Sequence, residues 1–96
     1  MEHEAMKSVH LMVSGRVQGV GFRYFIKQIA SQYHIKGWIR NRDDGRVELA
    51  AEGTDRQVDL FIRKMRRGTF LARVEGVEIQ LREPQNYSAF DLKATL

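Results

Sequence analysis

No cysteine occurs among the 96 residues of this chain. That excludes a disulfide framework, a thiolate nucleophile and a thiolate metal site. No stretch approaches the ~20 consecutive apolar residues that a membrane-spanning helix needs. The start, Met1-Glu2-His3-Glu4, lacks the basic region and apolar core of a secretory signal. These absences lead to the expectation of a cytoplasmic protein without a membrane partner. His3, His10 and His34 are scattered, with no spacing that suits a metal site. There is no internal repeat, low-complexity segment or linker. The expectation is therefore one domain over residues 1–96, with 1–7 a flexible N-terminus and a monomeric state.

What is present fits that size. A hydrophobic share of 43% is ordinary for a soluble fold, and the length allows one two-layer core. The net charge of +4 and the isoelectric point near 9.8 favour anionic partners. Charge alone does not separate a small phosphate ester from RNA.

Apolar periodicity gives the elements. Val9, Leu11 and Val13 alternate with polar neighbours, as in a strand with one buried face. Phe22, Phe25, Ile26, Ile29, Ala30 and Tyr33 recur every three or four residues and form a helical stripe. Gly37 ends the next connection, and Trp38 to Asn41 begins a second strand. Arg42-Asp43-Asp44-Gly45 reads as a hairpin turn, and Val47, Leu49 and Ala51 mark a third strand. Thr54 with Gln57 forms a capping box, ahead of a second stripe of Val58, Phe61, Ile62 and Met65 that Gly68 closes. Val77, Ile79 and Leu81 mark a fourth strand, and Ala89 to Leu92 a short fifth. The order predicts an α+β, ferredoxin-like sandwich, with two helices on one face of a mainly antiparallel sheet.

The densest chemical signal is Gly15-Arg16-Val17-Gln18-Gly19-Val20-Gly21-Phe22-Arg23. Three glycines lie between a strand and a helix, and an arginine follows in the first helical turn. Glycine permits positive φ and close approach of backbone to a ligand. Successive amides can form an anion nest, to which a helix N-terminus adds partial positive charge. Arg23 supplies a planar, permanently charged fork suited to a phosphoryl group. No Lys-Ser/Thr pair follows the last glycine, so the loop is not a Walker loop, nor is it Gly-x-Gly-x-x-Gly.

This segment resembles the signature of the acylphosphatases, small enzymes that hydrolyse the carboxyl–phosphate bond of acyl phosphates. Gly37-Trp38-Ile39-Arg40-Asn41, Asp44-Gly45-Arg46-Val47-Glu48 and Glu52-Gly53 resemble the second signature of that family, whose asparagine falls on Asn41. The similarity runs from about Val9 to Phe90. One departure lies after Gly68, where the family often has proline and this chain has Thr69-Phe70. The resemblance implies that the amides of Arg16, Val17, Gln18, Gly19, Val20, Gly21 and Phe22, with the guanidinium of Arg23, hold the phosphoryl group. It assigns Asn41 to the nucleophilic water. It implies an acyl phosphate as substrate, no metal and no organic cofactor. Inorganic phosphate and sulfate are then expected as competing anions.

The chemistry explains so sparse a site. An acyl phosphate is a mixed anhydride, and its leaving carboxylate is the base of an acid with pKa roughly 4. It departs without protonation, so no general acid is required. Holding the dianion, screening its charge and placing water in line are the remaining tasks.

Two other readings fit parts of the pattern. An RNA-recognition module shares the order of elements, and Gln18 to Phe25 resembles its aromatic octamer. In that module the octamer lies on the third strand and stacks on bases. Here Phe22 and Phe25 fall on the helical core stripe, and the third strand has no aromatic, so no nucleic-acid partner is expected. A non-catalytic anion- or ligand-binding domain on the same fold would bind without turnover, and fold alone does not exclude it.

Overall fold

A computed structural model describes residues 5–96. The elements are β1 (Met6–Arg16), α1 (Phe22–Gln32), β2 (Lys36–Asn41), β3 (Val47–Thr54), α2 (Asp55–Arg67), β4 (Arg73–Leu81) and β5 (Phe90–Leu92). The strands form one sheet in the order β4-β1-β3-β2-β5. All pairings are antiparallel except β2 with β5. This is the expected α+β sandwich.

Register explains the core. Val9, Leu11 and Val13 lie opposite Ala51, Leu49 and Val47. Cross-strand partners share a face, so these side chains form one apolar surface, fully buried beneath the two helices. From α1 it receives Phe22, Ile26, Ile29 and Ala30, and from α2 Val58, Phe61 and Met65. Each large side chain buried there contributes about 1.5–3 kcal/mol relative to exposure. Phe25, Tyr33 and Ile62 lie at the margins of the stripes and are only partly buried. Phe61 meets Phe90 edge to face at 6.4 Å, which ties the short β5 to α2.

The helix ends differ. Thr54 Oγ1 accepts from Gln57 N at 3.1 Å, and Gln57 Oε1 accepts from Thr54 N at 2.9 Å. This reciprocal box starts α2, and such caps stabilise by about 1 kcal/mol. The α1 start has no side-chain cap and no acidic residue in its first turn.

Three expectations need correction. Met6 and Lys7 are not loose, since they pair with Thr54 and Gly53 as the start of β1; residues 1–4 lie outside the described residues. Gly37 does not end a connection, because β2 begins at Lys36, where pairing with Glu52 already holds the chain extended. Gly15 and Arg16 belong to β1 rather than to the loop. A register shift at Ser14/Gly15 lets the strand continue, with Gly15 opposite Val74 and Arg16 opposite Arg73. Ladder hydrogen bonds extend all three ends beyond what side-chain pattern reveals.

Candidate active site

The loop from Val17 to Gly21 joins β1 to α1. Val17 is buried and anchors its first end in the core; Phe22 anchors the second. Gly19 and Gly21 between them have φ of 71° and 76°. A Cβ at either position would meet nothing within 4 Å. The demand for glycine there is conformational, since L-residues avoid that region.

This curl turns the amides away from carbonyls. Among the described residues, no amide N–H from Gln18 to Tyr24 donates to a backbone carbonyl. The first helical amide with a partner is Phe25 N, which donates to Gly21 O at 3.1 Å. A buried or half-buried amide needs an acceptor. The last three of these seven are the amides any helix start leaves free; together with the four before them they have the arrangement an anion nest requires, at a helix start whose dipole favours negative charge.

Asn41 enters from the other side. It lies at the end of β2 opposite Val47, whose side chain is in the core. Asn41 therefore points to the helical side of the sheet, toward the start of α1. Val17, Gly19, Gly21, Phe22, Arg23, Tyr24 and Asn41 line one cavity of about 90 Å³. Asn41 Oδ1 is buried with no hydrogen-bond partner among the described residues. An unmet buried acceptor costs about 1–3 kcal/mol, so its presence marks a place where something other than packing sets the residue. The Arg23 guanidinium makes no ion pair or side-chain hydrogen bond among the described residues.

The loop and the asparagine are held in register by one side chain. Gln18 Nε2 donates to Arg42 O at 2.7 Å and to Arg46 O at 2.8 Å, the two ends of the β2–β3 hairpin. Leu96 secures the same strand end, donating to Asn41 O at 3.0 Å and accepting from Asp43 N at 2.9 Å. Within the hairpin, Arg46 donates to Asp44 at 2.7–3.0 Å, and those hydrogen bonds hold the Asp44 carboxyl below its usual range.

The structure thus brings Val17, Gly19, Gly21, Phe22, Arg23 and Asn41 together. The side chains of Arg16, Gln18 and Val20 do not line the cavity. Arg16 faces a separate groove, Gln18 is the brace, and Val20 packs against the core. Two residues were not anticipated in these roles: Gln18 as a brace, and Tyr24, largely exposed at the cavity rim. The brace has no local signal, because its acceptors are backbone carbonyls more than twenty positions away. Among the described residues, no group of three His, Cys, Asp or Glu is placed to hold a metal ion, and no helix is long and apolar enough to cross a membrane.

A second cluster lies on the open face of the sheet. Glu48 accepts from His10 Nε2 at 2.6 Å, Arg40 Nε at 2.7 Å and Arg42 Nη1 at 3.2 Å. Burial pushes its carboxyl up, but the bonds from Arg40 and His10 outweigh that and hold it below the ordinary value. Glu52 behaves alike: burial opposes ionisation, and donors from Gln85, Ser8, Tyr87 and Asn86 more than offset it. Glu48 and Glu52 alternate with core residues along β3, so these carboxylates face away from the cavity.

The fold is a ferredoxin-like sandwich, and at one end of its sheet a row of free amides, an unpaired guanidinium and a buried amide acceptor come together among the described residues. The acylphosphatase family model matches residues 9–92, and the chain belongs to that family. An acylphosphatase of Geobacillus thermodenitrificans is 46% identical over 78 residues, covering 81% of this chain and 83% of that one. One from Archaeoglobus fulgidus is 42% identical over 87 residues, covering 91% and 98%. The crystal structure of the Bacillus subtilis acylphosphatase superposes with a TM-score of 0.87 at 34% identity, covering 93% of this chain and 99% of that chain.

Proposed function

We propose that this protein hydrolyses acyl phosphates to a carboxylate and inorganic phosphate, using the nest, Arg23 and Asn41. Family membership supports the reaction class. The observation that carries the residue roles is the buried, unpartnered Oδ1 of Asn41 in the same cavity as Arg23 and the free amides.

The phosphoryl oxygens sit among the free amides from Gln18 to Phe22, not at Arg16, whose backbone is paired in β1, and Arg23 forks onto them. This preorganised charge is worth more in the transition state, where charge shifts onto the oxygens. Asn41 Oδ1 accepts a hydrogen bond from water and turns its lone pair toward phosphorus. The water oxygen bonds to phosphorus as the bond to the carboxyl oxygen breaks. The bonding pair leaves with the carboxylate. The water proton passes to a phosphoryl oxygen, because an amide is no base. Gln18 acts at a distance, keeping the nest and Asn41 in one geometry.

The reaction so written needs neither a metal nor an organic cofactor, and we read the chain as a monomeric enzyme of the cytoplasm. The test is hydrolysis of benzoyl phosphate in EDTA, followed by ultraviolet absorbance, with Arg23→Ala as control. Rapid turnover that disappears in the variant supports the assignment. A folded wild-type protein that binds phosphate without turnover would leave only the anion-binding reading. A pH profile requiring a protein base with pKa near 7 would remove the proton route.

A further inference from the structure

Beside the nest lies a larger groove, of about 580 Å³, that the reaction described above does not use. Four arginines line it: Arg16 at the end of β1, Arg66 and Arg67 at the end of α2, and Arg73 at the start of β4. Among the described residues, Glu75 is the one carboxylate in its wall. None of the four arginines forms an ion pair or a side-chain hydrogen bond among the described residues. By contrast, Arg40, Arg42 and Arg46 all pair with Glu48 or Asp44.

A basic helix end is ordinarily a complement to the helix dipole. Here Gly68 N closes α2 on Met65 O at 3.0 Å, and neither Arg66 nor Arg67 donates to the last carbonyls. The side chains are exposed, and their forks are open. The groove also has an apolar wall. Phe70 is 102% exposed and Leu71 58%, so neither serves the core.

Position gives this groove its meaning. Arg16 immediately precedes the nest residue Val17, and its cross-strand partner is Arg73. Paired residues on adjacent strands lie about 5 Å apart. The groove and the cavity are thus lined by consecutive residues, Arg16 and Val17, whose Cα atoms lie about 3.8 Å apart.

We infer that this groove is a subsite for the acyl portion of the substrate, and that it takes an acyl group bearing a second anion, carboxylate or phosphate, with its carbon skeleton against Phe70 and Leu71. The inference rests on the acyl phosphate reading and names the class of substrate. Forked guanidiniums suit both anions. Exposed pairs respond to salt, which provides a signature.

Two aromatic substrates of equal shape test it: 4-carboxybenzoyl phosphate, and its uncharged match 4-carbamoylbenzoyl phosphate. At low salt the wild-type protein is expected to show a roughly fivefold lower KM for the carboxylate, with similar kcat. The preference should vanish in Arg66→Gln/Arg67→Gln/Arg73→Gln and shrink in high salt, while the carbamoyl substrate is unaffected by the substitutions. Lys27→Gln/Lys36→Gln/Arg56→Gln removes the same charge elsewhere and should retain the preference. Equal KM values in the wild type would overturn the inference. So would a preference that survives the groove variant, or one that the distant variant also erases. Failure of folded wild type to hydrolyse either substrate would strike the acyl phosphate reading itself.

Discussion

The arginines of this protein live in two electrostatic settings. On the open sheet face and in the hairpin, Arg40, Arg42 and Arg46 are matched by Glu48 and Asp44, with separations of 2.7–3.2 Å. At the loop end, Arg23 and the four groove arginines form no ion pair among the described residues, although Glu75 lines the groove. Paired charges on the sheet face lock a register and have little left to offer a ligand. Unpaired charges beside a row of free amides do little for the fold, and they create a field that an anion completes. The same residue type thus holds the fold in one place and is left to chemistry in another.

The contrast can be broken or sharpened by substitution. The largest effect is expected at Arg23. Arg23→Ala should lower kcat/KM for benzoyl phosphate by on the order of 10³ or more, and Arg23→Lys should fare little better, since an ammonium cannot fork onto two oxygens. Asn41→Ala comes next. Its kcat should drop by about 10²–10³, typical of one lost transition-state partner, while phosphate inhibition constants stay near wild type. Near-normal turnover in this variant would withdraw the water-orienting role. Gln18→Ala touches no substrate, yet it unties the nest from the hairpin. A loss of about tenfold in kcat is expected, with melting temperature shifted only slightly.

Acidification probes the other setting. Glu48 and Glu52 have folded-state pKa values below the usual 4.5. Unfolding raises their proton affinity, so their stabilisation is complete above about pH 4.5 and fades as pH falls through the lower folded values. Urea midpoints measured from pH 7 to 3 should decline over that acid range. Glu48→Gln should cost about 1–3 kcal/mol at neutral pH and flatten the decline. The smallest effect is expected for Arg40→Gln on turnover, less than about twofold, because the paired set stands apart from the cavity. If Arg40→Gln disabled catalysis as Arg23→Lys does, the division between the two settings would be wrong.

Much of this was readable along the chain. The two helical stripes, the capping box at Thr54 and Gln57, and the alternating strands all depend on neighbours within four residues. Such patterns survive into the fold because local geometry and burial favour the same conformation. The nest was legible for the same reason: positive φ at Gly19 and Gly21 is a local property. Strand ends were less legible. Met6, Lys7 and Lys36 became strand because of their partners on β3, not because of their own side chains.

What the sequence determined by itself is the inventory: a glycine loop able to curl, an arginine fork after it, an asparagine at a strand end, and the order of elements. Tertiary structure decided who meets whom. It brought Asn41 beside Arg23, strapped Gln18 to the hairpin, and put His10 against Glu48 from 38 positions away. It also gathered Arg16, Arg66, Arg67 and Arg73 from three elements into one groove while leaving them unpaired among the described residues. The reason is physical. Backbone conformation is set by neighbours in the chain, whereas the field at a site is set by neighbours in space, and only the closed sheet fixes those.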